Sequence, residues 1–164
     1  MGWPRRHLNS DPASSQTVGT DITLREAHSA DHPLLLSLAR EAYREVLSLQ
    51  FSGWDESVHG VRFAEKLATL KFLVAELDGE PVAAISTTLH DDHLRVNEIL
   101  VSPTHQNQGI GSRLLRREIE LAQCAGVPVR LHTMRMNRAV QFYERHGFVV
   151  TARGPEYIDL ERAG

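Results

Sequence analysis

The 164-residue sequence predicts a mixed α/β domain, because its hydrophobic period changes along the chain. A helical period fills much of the first third, and short runs with strand character follow it. A long helix, a strand, a short helix and a terminal hairpin complete the chain. Elements in this order form layers of helices on a sheet. We expect a mostly antiparallel central sheet of about six to seven strands, flanked by about four helices.

The N-terminal end of the chain shows no hydrophobic period. Residues 1–20 contain two prolines, three serines and scattered polar residues. This composition is typical of chain ends that do not pack against a core. We therefore expect a flexible N-terminal extension over residues 1–20 and one folded domain over residues 21–164.

Two helices are predicted ahead of the long strands. After a short strand at 22–25, apolar residues follow the helical period over 31–49, and Pro33 is tolerated in the first turn. Asp55 is a good N-cap for a second helix over 55–68.

The remaining elements are bounded by glycine, proline and other turn residues. Asp78-Gly79 is a two-residue hairpin signal between two strand-like runs, and Gly147 is suited to end the last helix. Hairpins of this kind make neighbouring strands antiparallel. The predicted strands cover 71–77, 82–89, 94–101, 129–134, 148–152 and 157–160. The predicted helices cover 109–125 and 137–146.

Residues 98–112 carry the strongest functional signal. A strand-like run ends at Pro103, and a turn that contains Gly109 and Gly111 opens a long helical pattern. The free backbone N–H groups of a helix N-terminus bind phosphate groups. A Cβ at either glycine would block the approach of a phosphate to the backbone. The sequence therefore predicts a phosphate-binding turn.

Two common phosphate-binding loops do not fit this turn. A nucleoside-triphosphate P-loop ends in Gly-Lys-Ser/Thr, whereas Gly111 is followed here by Ser112 and Arg113. A dinucleotide-binding fingerprint needs a third small residue where this chain has Leu114. We therefore exclude both classes of site.

The spacing that remains, Gln106-x-x-Gly109-x-Gly111, resembles the Gln/Arg-x-x-Gly-x-Gly/Ala signature of the GNAT superfamily of acyl-CoA-dependent N-acyltransferases. Residues 137–148 resemble a second family pattern, Asn-x-x-Ala-x-x-Phe-Tyr-x-x-x-Gly-Phe, although the alanine here is two residues after the asparagine. The resemblance covers residues 22–160. It implies a GNAT-like fold and an N-acetyltransferase that moves an acetyl group from its co-substrate acetyl-CoA to a primary amine of a small molecule, peptide or protein.

The resemblance also assigns the residues that contact the coenzyme. In the family the phosphates bind the glycine-containing loop, and the pantetheine amides pair with the free edge of the fourth strand, a form of strand addition. The matching asparagine and tyrosine lie beside the pantetheine arm and the sulfur. The coenzyme-contacting residues implied for this chain are Leu100, Val101, Gln106, Asn107, Gln108, Gly109, Ile110, Gly111, Ser112, Asn137 and Tyr143.

Glu98 is the predicted catalytic base. Transfer of an acyl group from a thioester to an amine requires the amine to lose a proton and the thiolate to gain one. By the period of two, Glu98 shares one face of its strand with Leu94, Val96 and Leu100. A carboxylate among aliphatic side chains loses hydration and becomes a better proton acceptor.

Tyr143 is the predicted catalytic acid. The resemblance places the matching tyrosine beside the coenzyme sulfur, and a phenol with a pKa of about 10 can protonate a thiolate. We expect direct transfer within a ternary complex, because the chain offers no activated nucleophile. Cys124 is expected beside the core, without a basic neighbour that would lower the pKa of its thiol.

Purely structural roles stay open for three of these residues. Glu98 could form an ion pair with Arg25 or Arg130 across the sheet. Tyr143 could simply pack in the core, and Asn137 is a good helix N-cap. The sequence alone does not decide between these roles and the catalytic ones.

The acceptor site is less well defined by the sequence. In the GNAT fold the acceptor enters opposite the coenzyme, among the first two helices, the fourth strand and the terminal hairpin. Trp54 is followed by Asp55 and Glu56, and an aromatic face beside carboxylates suits a cationic amine. We expect Trp54 and Glu98 to contact the acceptor. An ordinary turn between helices, capped by Asp55, is the alternative.

Composition limits the compartment and the partners. The net charge of −3 argues against nucleic-acid binding, which needs clustered basic residues. No apolar run approaches the roughly 18 residues of a membrane span, and no signal peptide is visible. The single cysteine excludes an intramolecular disulfide and fits a reducing compartment. We expect a cytoplasmic protein with an amine acceptor and no nucleic-acid or membrane partner; a homodimer stays open.

The nine histidines do not predict a metal site. His28 and His32, and His90 and His93, have the spacing of paired ligands but no third ligand at a usable distance along the chain. We therefore expect no metal.

Two other function classes stay open. A non-catalytic acyl-CoA-binding regulatory module would keep the phosphate turn, but the presence of both Glu98 and Tyr143 favours an enzyme. An acyltransferase that acts on charged tRNA is disfavoured by the acidic net charge. A protein amine remains open as the acceptor.

Overall fold

The computed structural model describes residues 16–17 and 22–164. The strands are β1 (Gln16–Thr17), β2 (Ile22–Glu26), β3 (Leu73–Leu77), β4 (Glu80–Leu89), β5 (Leu94–Val101), β6 (Val129–Met134), β7 (Val149–Arg153) and β8 (Tyr157–Arg162). The helices are α1 (His32–Gln50), α2 (Val61–Thr69), α3 (Ile110–Ala125) and α4 (Ala139–Arg145). A π-helical turn at Glu56–Gly60 leads into α2, and 3₁₀ turns occur at Ser29–Asp31 and Pro103–His105.

The strands form one sheet in the order β1-β2-β3-β4-β5-β6-β8-β7. All neighbouring pairs in this sheet are antiparallel except β5 and β6. The predicted fold class, a mixed and mostly antiparallel sheet flanked by helices, is confirmed. The strand beyond the predicted number is the two-residue β1, which pairs with β2. The rest of residues 1–20 lies outside the described residues, so the flexible extension stays a prediction.

The parallel strands β5 and β6 pair only at their beginnings. The paired residues are Leu94 with Val129 and Arg95 with Arg130. Beyond Arg95, β5 continues to Val101 without pairing to β6, so the sheet opens between the two strands. Such an opening exposes a strand edge inside the sheet, where an extended ligand can pair.

Helices cover the two faces of the sheet. Helices α1 and α2 pack on one face through Leu35, Phe63 and Leu67, against a cluster that includes Leu100 of β5. Helices α3 and α4 pack on the other face, where Leu115, Ile119, Tyr143 and Phe148 contact the inner residues of β5, β6 and β8. Burial on both faces supplies the main free energy of folding for a domain of this size.

A β-bulge interrupts β5 beside the opening. In the pairing of β4 with β5, Ser86 lies opposite Glu98, but the next residue, Thr87, lies opposite Val96. Asn97 is therefore an extra residue in β5. A bulge of this kind bends the strand and redirects its side chains.

The bulge makes one prediction wrong. Leu94 and Val96 pack in the cluster beneath α3 and α4. Leu100 packs in the cluster beneath α1 and α2, and Glu98 also contacts those two helices. The four residues therefore do not share one face, because the extra residue shifts the period of two by one position.

Most predicted elements are confirmed within the usual uncertainty of helix and strand ends. Asp78 and Gly79 form the predicted hairpin turn, with φ values of 52° and 82°. Asp55 caps its helix by accepting a hydrogen bond from the Ser57 N–H at 2.8 Å. The expectation that Cys124 lies beside the core is wrong, since it is exposed on α3. Within residues 22–164, no helix is long and apolar enough to cross a membrane.

Candidate active site

A cleft of about 690 Å³ lies at the opening between β5 and β6. Its walls come from α1, β5, the loop before α3, the end of β6 and α4. The predicted site residues that line it are Glu98, Val101, Gln106, Asn107, Gly109, Ile110, Gly111, Ser112, Asn137 and Tyr143. Residues that are distant in sequence, and were predicted from two separate motifs, therefore meet at one cleft.

Three predicted site residues do not line this cleft. The side chain of Leu100 is fully buried beneath α1 and α2. Gln108 is exposed and donates a hydrogen bond from its amide to the Thr104 carbonyl at 3.0 Å. Trp54 lies in the turn between α1 and α2.

The loop before α3 has the backbone form of an anion site. Asn107 and Gly109 both have positive φ, 60° and 81°. The Arg113 N–H donates to the Gly109 carbonyl at 3.0 Å, so the N–H groups of residues 110–112 lie ahead of this helical hydrogen bond. A Cβ added at Gly109 would meet no other atom within 4 Å. The N-terminus of α3 therefore combines a left-handed glycine with free space above it, which fits the predicted phosphate group.

Gly111 differs from Gly109, because a Cβ added at Gly111 would contact other residues. A Cβ there would lie 3.5 Å from Cζ of Phe142 and 3.6 Å from Cγ2 of Val101. An added Cβ would therefore be in ordinary van der Waals contact with α4 and β5. Nearby, Gln106 donates from its amide to the Val101 carbonyl at 3.1 Å and ties the loop to the end of β5.

Glu98 is buried, and both of its carboxylate oxygens accept hydrogen bonds. Oε1 binds the ammonium group of Lys66 on α2, and Oε2 binds the hydroxyl of Tyr43 on α1. The predicted alternative, an ion pair with Arg25 or Arg130, is wrong because those arginines bind other carboxylates. Glu98 is nevertheless an ion-paired group, and its partner is a lysine.

Tyr43 and Lys66 were missed at the sequence level. Tyr43 lies one helical turn after the buried Ala39 in α1, and Lys66 lies three residues after the buried Phe63 in α2. Both therefore lie next to a buried stripe, which is a weak signal for a polar residue that points inward. No local pattern connects either of them to Glu98, because the contacts span 55 and 32 residues of sequence.

Two tyrosines line the cleft, Tyr143 buried and Tyr43 half-buried, and both are held in the protonated form. Burial and the charge of Glu98 raise the pKa of Tyr143. Burial, the charge of Glu98 and the hydrogen bond to it raise the pKa of Tyr43. Tyr143 packs edge-on against Phe142 and Phe148, at ring-centroid distances of 5.2 Å and 5.8 Å. Its ring is therefore fixed, while the residue lines the cleft.

Asn137 has the hydrogen bonds of an N-cap. Its Oδ1 accepts from the Ala139 N–H at 2.9 Å, and its Nδ2 donates to Oγ1 of Thr133 at 2.9 Å. The side chain thus joins the start of α4 to β6 at the edge of the cleft. The capping role is observed; the contact with the pantetheine arm stays a prediction.

Trp54 has the contacts of an ordinary turn between helices. Its indole N–H donates to Glu56 at 2.7 Å, and the Arg40 guanidinium lies 5.8 Å from the ring centroid. The ring of His59 is 5.7 Å away. The structure therefore brings Glu98, and not Trp54, into the cleft.

No metal centre is visible in the part of the chain that the structure describes. Among residues 16–17 and 22–164, no three His, Cys, Asp or Glu side chains form a group that could hold a metal ion.

The fold and the cleft define a class of protein. A sheet that opens between two parallel strands, above a helix N-terminus with the backbone form of an anion site and beside a buried glutamate and tyrosine, is the arrangement expected of an acyl-CoA-dependent acyltransferase. Residues 68–150 match the sequence model of the GNAT acetyltransferase domain. The chain belongs to the GNAT acetyltransferase family, and the prediction of an acyl-CoA-dependent N-acyltransferase is confirmed at that level.

Solved structures share this fold at low sequence identity. PaiA N-acetyltransferase from Thermoplasma acidophilum, in complex with coenzyme A, has a TM-score of 0.74 and 19% identity, covering 88% of this chain and 100% of that one. The ribosomal-protein-S18-alanine N-acetyltransferase from Escherichia coli has a TM-score of 0.66 and 22% identity, covering 86% and 92%. Naa50 from Arabidopsis thaliana, in complex with the bisubstrate analogue CoA-Ac-MVNAL, has a TM-score of 0.63 and 17% identity, covering 88% and 100%.

Proposed function

We propose that this protein transfers an acetyl group from acetyl-CoA directly to a primary amine of a small molecule, peptide or protein, within a ternary complex. One observation carries the proposal: the loop at the N-terminus of α3, Glu98 and Tyr143 all border one cleft. The loop suits a phosphate group, and the other two residues suit the two proton transfers of aminolysis.

In this proposal, the coenzyme lies along the cleft from the start of α3 towards Tyr143. Its phosphates would bind the N–H groups at the start of α3, where Gly109 leaves free space. Its pantetheine amides would pair with the edge of β5 beyond Arg95, where β6 has diverged. The thioester would then lie beside Tyr143, between the two faces of the sheet. Bound acetyl-CoA supplies an activated acyl group and a thiol leaving group.

Glu98 acts as the base in this proposal. It accepts a proton from the acceptor ammonium, directly or through a water molecule, and the free amine attacks the thioester carbonyl. The C–N bond forms as the C–S bond breaks. The hydrogen bonds from Lys66 and Tyr43 hold the carboxylate in one orientation while it does so.

Tyr143 protonates the departing sulfur. Its raised pKa keeps the hydroxyl protonated before the reaction, so the proton is available. Part of that rise comes from the negative charge of Glu98. Once Glu98 has taken up the amine proton, this charge is gone, and loss of the tyrosine proton becomes easier. The two proton transfers therefore support each other.

Release of thiol from acetyl-CoA tests the proposal. The acceptor panel should include amines, polyamines, amino acids and peptides, since the neighbour Naa50 was solved with a peptide-containing analogue. Turnover with at least one amine supports the enzyme. Binding of coenzyme A without turnover on any amine would favour the alternative, a non-catalytic acyl-CoA-binding regulatory module.

A Glu98→Gln variant tests the base. We expect kcat/KM to fall by about 10²-fold or more at low pH, where the acceptor is protonated, and by less above the pKa of the amine. Glu118→Gln is the matched control, because Glu118 is also buried and hydrogen-bonded but lies on α3 against Thr87, away from the cleft. A loss that is equal at all pH values would assign Glu98 a positioning role instead.

A further inference from the structure

One amine of the chain itself lies on the proposed base. The ammonium group of Lys66 binds Oε1 of Glu98. An acceptor amine must reach the same carboxylate to lose its proton, because proton transfer needs hydrogen-bond contact or one bridging water. Relative to the base, Lys66 therefore has the position that the acceptor amine needs. This inference rests on the proposed function.

Lys66 approaches Glu98 from the side of the sheet that the coenzyme does not use. Its helix, α2, packs with α1 on one face, whereas α3 and α4 lie on the other. The lysine side chain is 45% exposed, while that of Glu98 is only 3% exposed. A long, flexible and half-exposed side chain can move along the carboxylate without unfolding its helix.

The ion pair also removes the electrostatic obstacle to attack by this amine. Separating Lys66 from Glu98 would leave a buried carboxylate without its partner, which is unfavourable. Proton transfer within the pair avoids this, because it turns the ammonium into an amine and the carboxylate into a neutral acid. The neutral amine of Lys66 is then a nucleophile, and it lies beside the Glu98 carboxyl group that has just accepted its proton.

We propose that, when acetyl-CoA is bound and no acceptor is present, the protein acetylates its own Lys66. Nζ gives one proton to Glu98 and attacks the thioester carbonyl carbon. The C–S bond breaks, the amide bond forms, and Nζ gives up its second proton. The thiolate sulfur takes a proton from the Tyr143 hydroxyl. The tyrosine then regains a proton from the two that Nζ has given up. In total, one lysine ammonium and one acetyl-CoA are converted to one acetyl-lysine, one free thiol and one proton, which is released to water.

The sequence makes this proposal easy to test, because the chain has only two lysines, Lys66 and Lys71. Lys71 is exposed and lies five residues further along, so it reports uncatalysed acetylation by the thioester. The protein is incubated with acetyl-CoA alone and digested with a protease that cleaves after glutamate. Both lysines then fall in one peptide, in which tandem mass spectrometry distinguishes them. We expect acetylation of Lys66 roughly 10²-fold faster than that of Lys71, as for a reaction with a positioned base.

Variants and concentration series separate the possible outcomes. Glu98→Gln should reduce labelling of Lys66 to the rate at Lys71, and Tyr143→Phe should slow it, each in a protein whose melting temperature and coenzyme A affinity show that it is folded. Lys71→Arg should leave labelling of Lys66 unchanged. The fraction labelled per minute should not depend on protein concentration, because the reaction occurs within one chain.

The inference would be overturned by equal labelling of both lysines, by a labelled fraction per minute that rises with protein concentration, or by labelling that persists unchanged in folded Glu98→Gln. Turnover on the amine panel without labelling of Lys66 would overturn self-acetylation and leave the proposed function in place. Absence of both turnover and labelling would overturn the proposed function as well.

Discussion

The two left-handed glycines at the ends of α3 allow a sharp test of the coenzyme site. Gly109 precedes the helix with φ 81°, and Gly126 follows it with φ 70°. At both positions an added Cβ would meet no other atom within 4 Å. Gly109→Ala and Gly126→Ala therefore introduce the same methyl group and similar backbone strain, but only the first lies at the cleft.

The expected magnitudes follow from the cost of a left-handed alanine, about 1–2 kcal/mol relative to glycine. In a domain of this size, that strain should lower the melting temperature of each variant by roughly 2–8 °C. At Gly109 the added Cβ would also occupy the free space in which the phosphate is expected to lie. A further cost of about 1–2 kcal/mol from this obstruction would weaken coenzyme binding by roughly 5- to 30-fold. This loss should occur in Gly109→Ala only.

Calorimetric titration with coenzyme A and a thermal melt of each variant measure the two effects. The expected result is a similar thermal loss in both variants and a weaker coenzyme complex in Gly109→Ala alone. Equal affinity of the two variants and the wild-type protein would refute the assignment of the α3 N-terminus as the phosphate site. Gly111→Val is a less direct test, because a Cβ there is already in van der Waals contact with Phe142 and Val101, so the larger side chain changes the packing of α3 as well as the cleft.

Two further predictions concern the acid and an ion pair far from the cleft. Tyr143→Phe keeps the ring packing and removes only the hydroxyl, so turnover should fall by about 10²-fold with little change in coenzyme affinity; normal turnover with rate-limiting chemistry would exclude Tyr143 as the acid. The hydrogen bonds from Arg25 lower the pKa of Asp31 from 3.8 to about 2. The ion pair therefore stabilises the fold above pH 3.8, and this stabilisation is lost as the pH falls from 3.8 to about 2. Arg25→Met should therefore lower the free energy of unfolding by about 1 kcal/mol at neutral pH, since solvent screens the pair, and by less near pH 2. A deficit that does not change between pH 5 and pH 2, measured by urea unfolding at about those pH values, would contradict this reasoning.

The elements that could be predicted from the sequence are those whose signals are local. The turn at Asp78-Gly79 needs positive φ at both residues, and the dipeptide Asp-Gly is by itself a signal for such a turn. Strand β6 was predicted with its observed bounds, because a proline precedes it and alternating apolar residues fill it. The motif-based residues at the α3 N-terminus and on α4 also reached one cleft, as the resemblance implied.

The predictions that failed depend on contacts between distant parts of the chain. The bulge at Asn97 is defined by the pairing of β5 with β4, and the sequence of β5 alone does not predict it. The partners of Glu98 come from α1 and α2, which are far from it in sequence. An arginine partner was a reasonable expectation from charge alone, but Arg25 is already held by Asp31 and Glu76.

The bulge also supports the proposal of direct transfer. Without the extra residue, Glu98 would point with Val96 towards α3 and α4, on the same side as Tyr143. With it, Glu98, the proposed base, faces α1 and α2, while Tyr143, the proposed acid, stays on the side of α3 and α4. Two reactants that enter from opposite faces can then meet at one gap in the sheet, each with its own proton-transfer group. An acyl-thioester intermediate on the enzyme would need a thiol at that gap, and Cys124, the single cysteine, is exposed on α3 away from it. The geometry of β5 therefore agrees with the proposed single step in a ternary complex and offers no thiol for two steps through the enzyme.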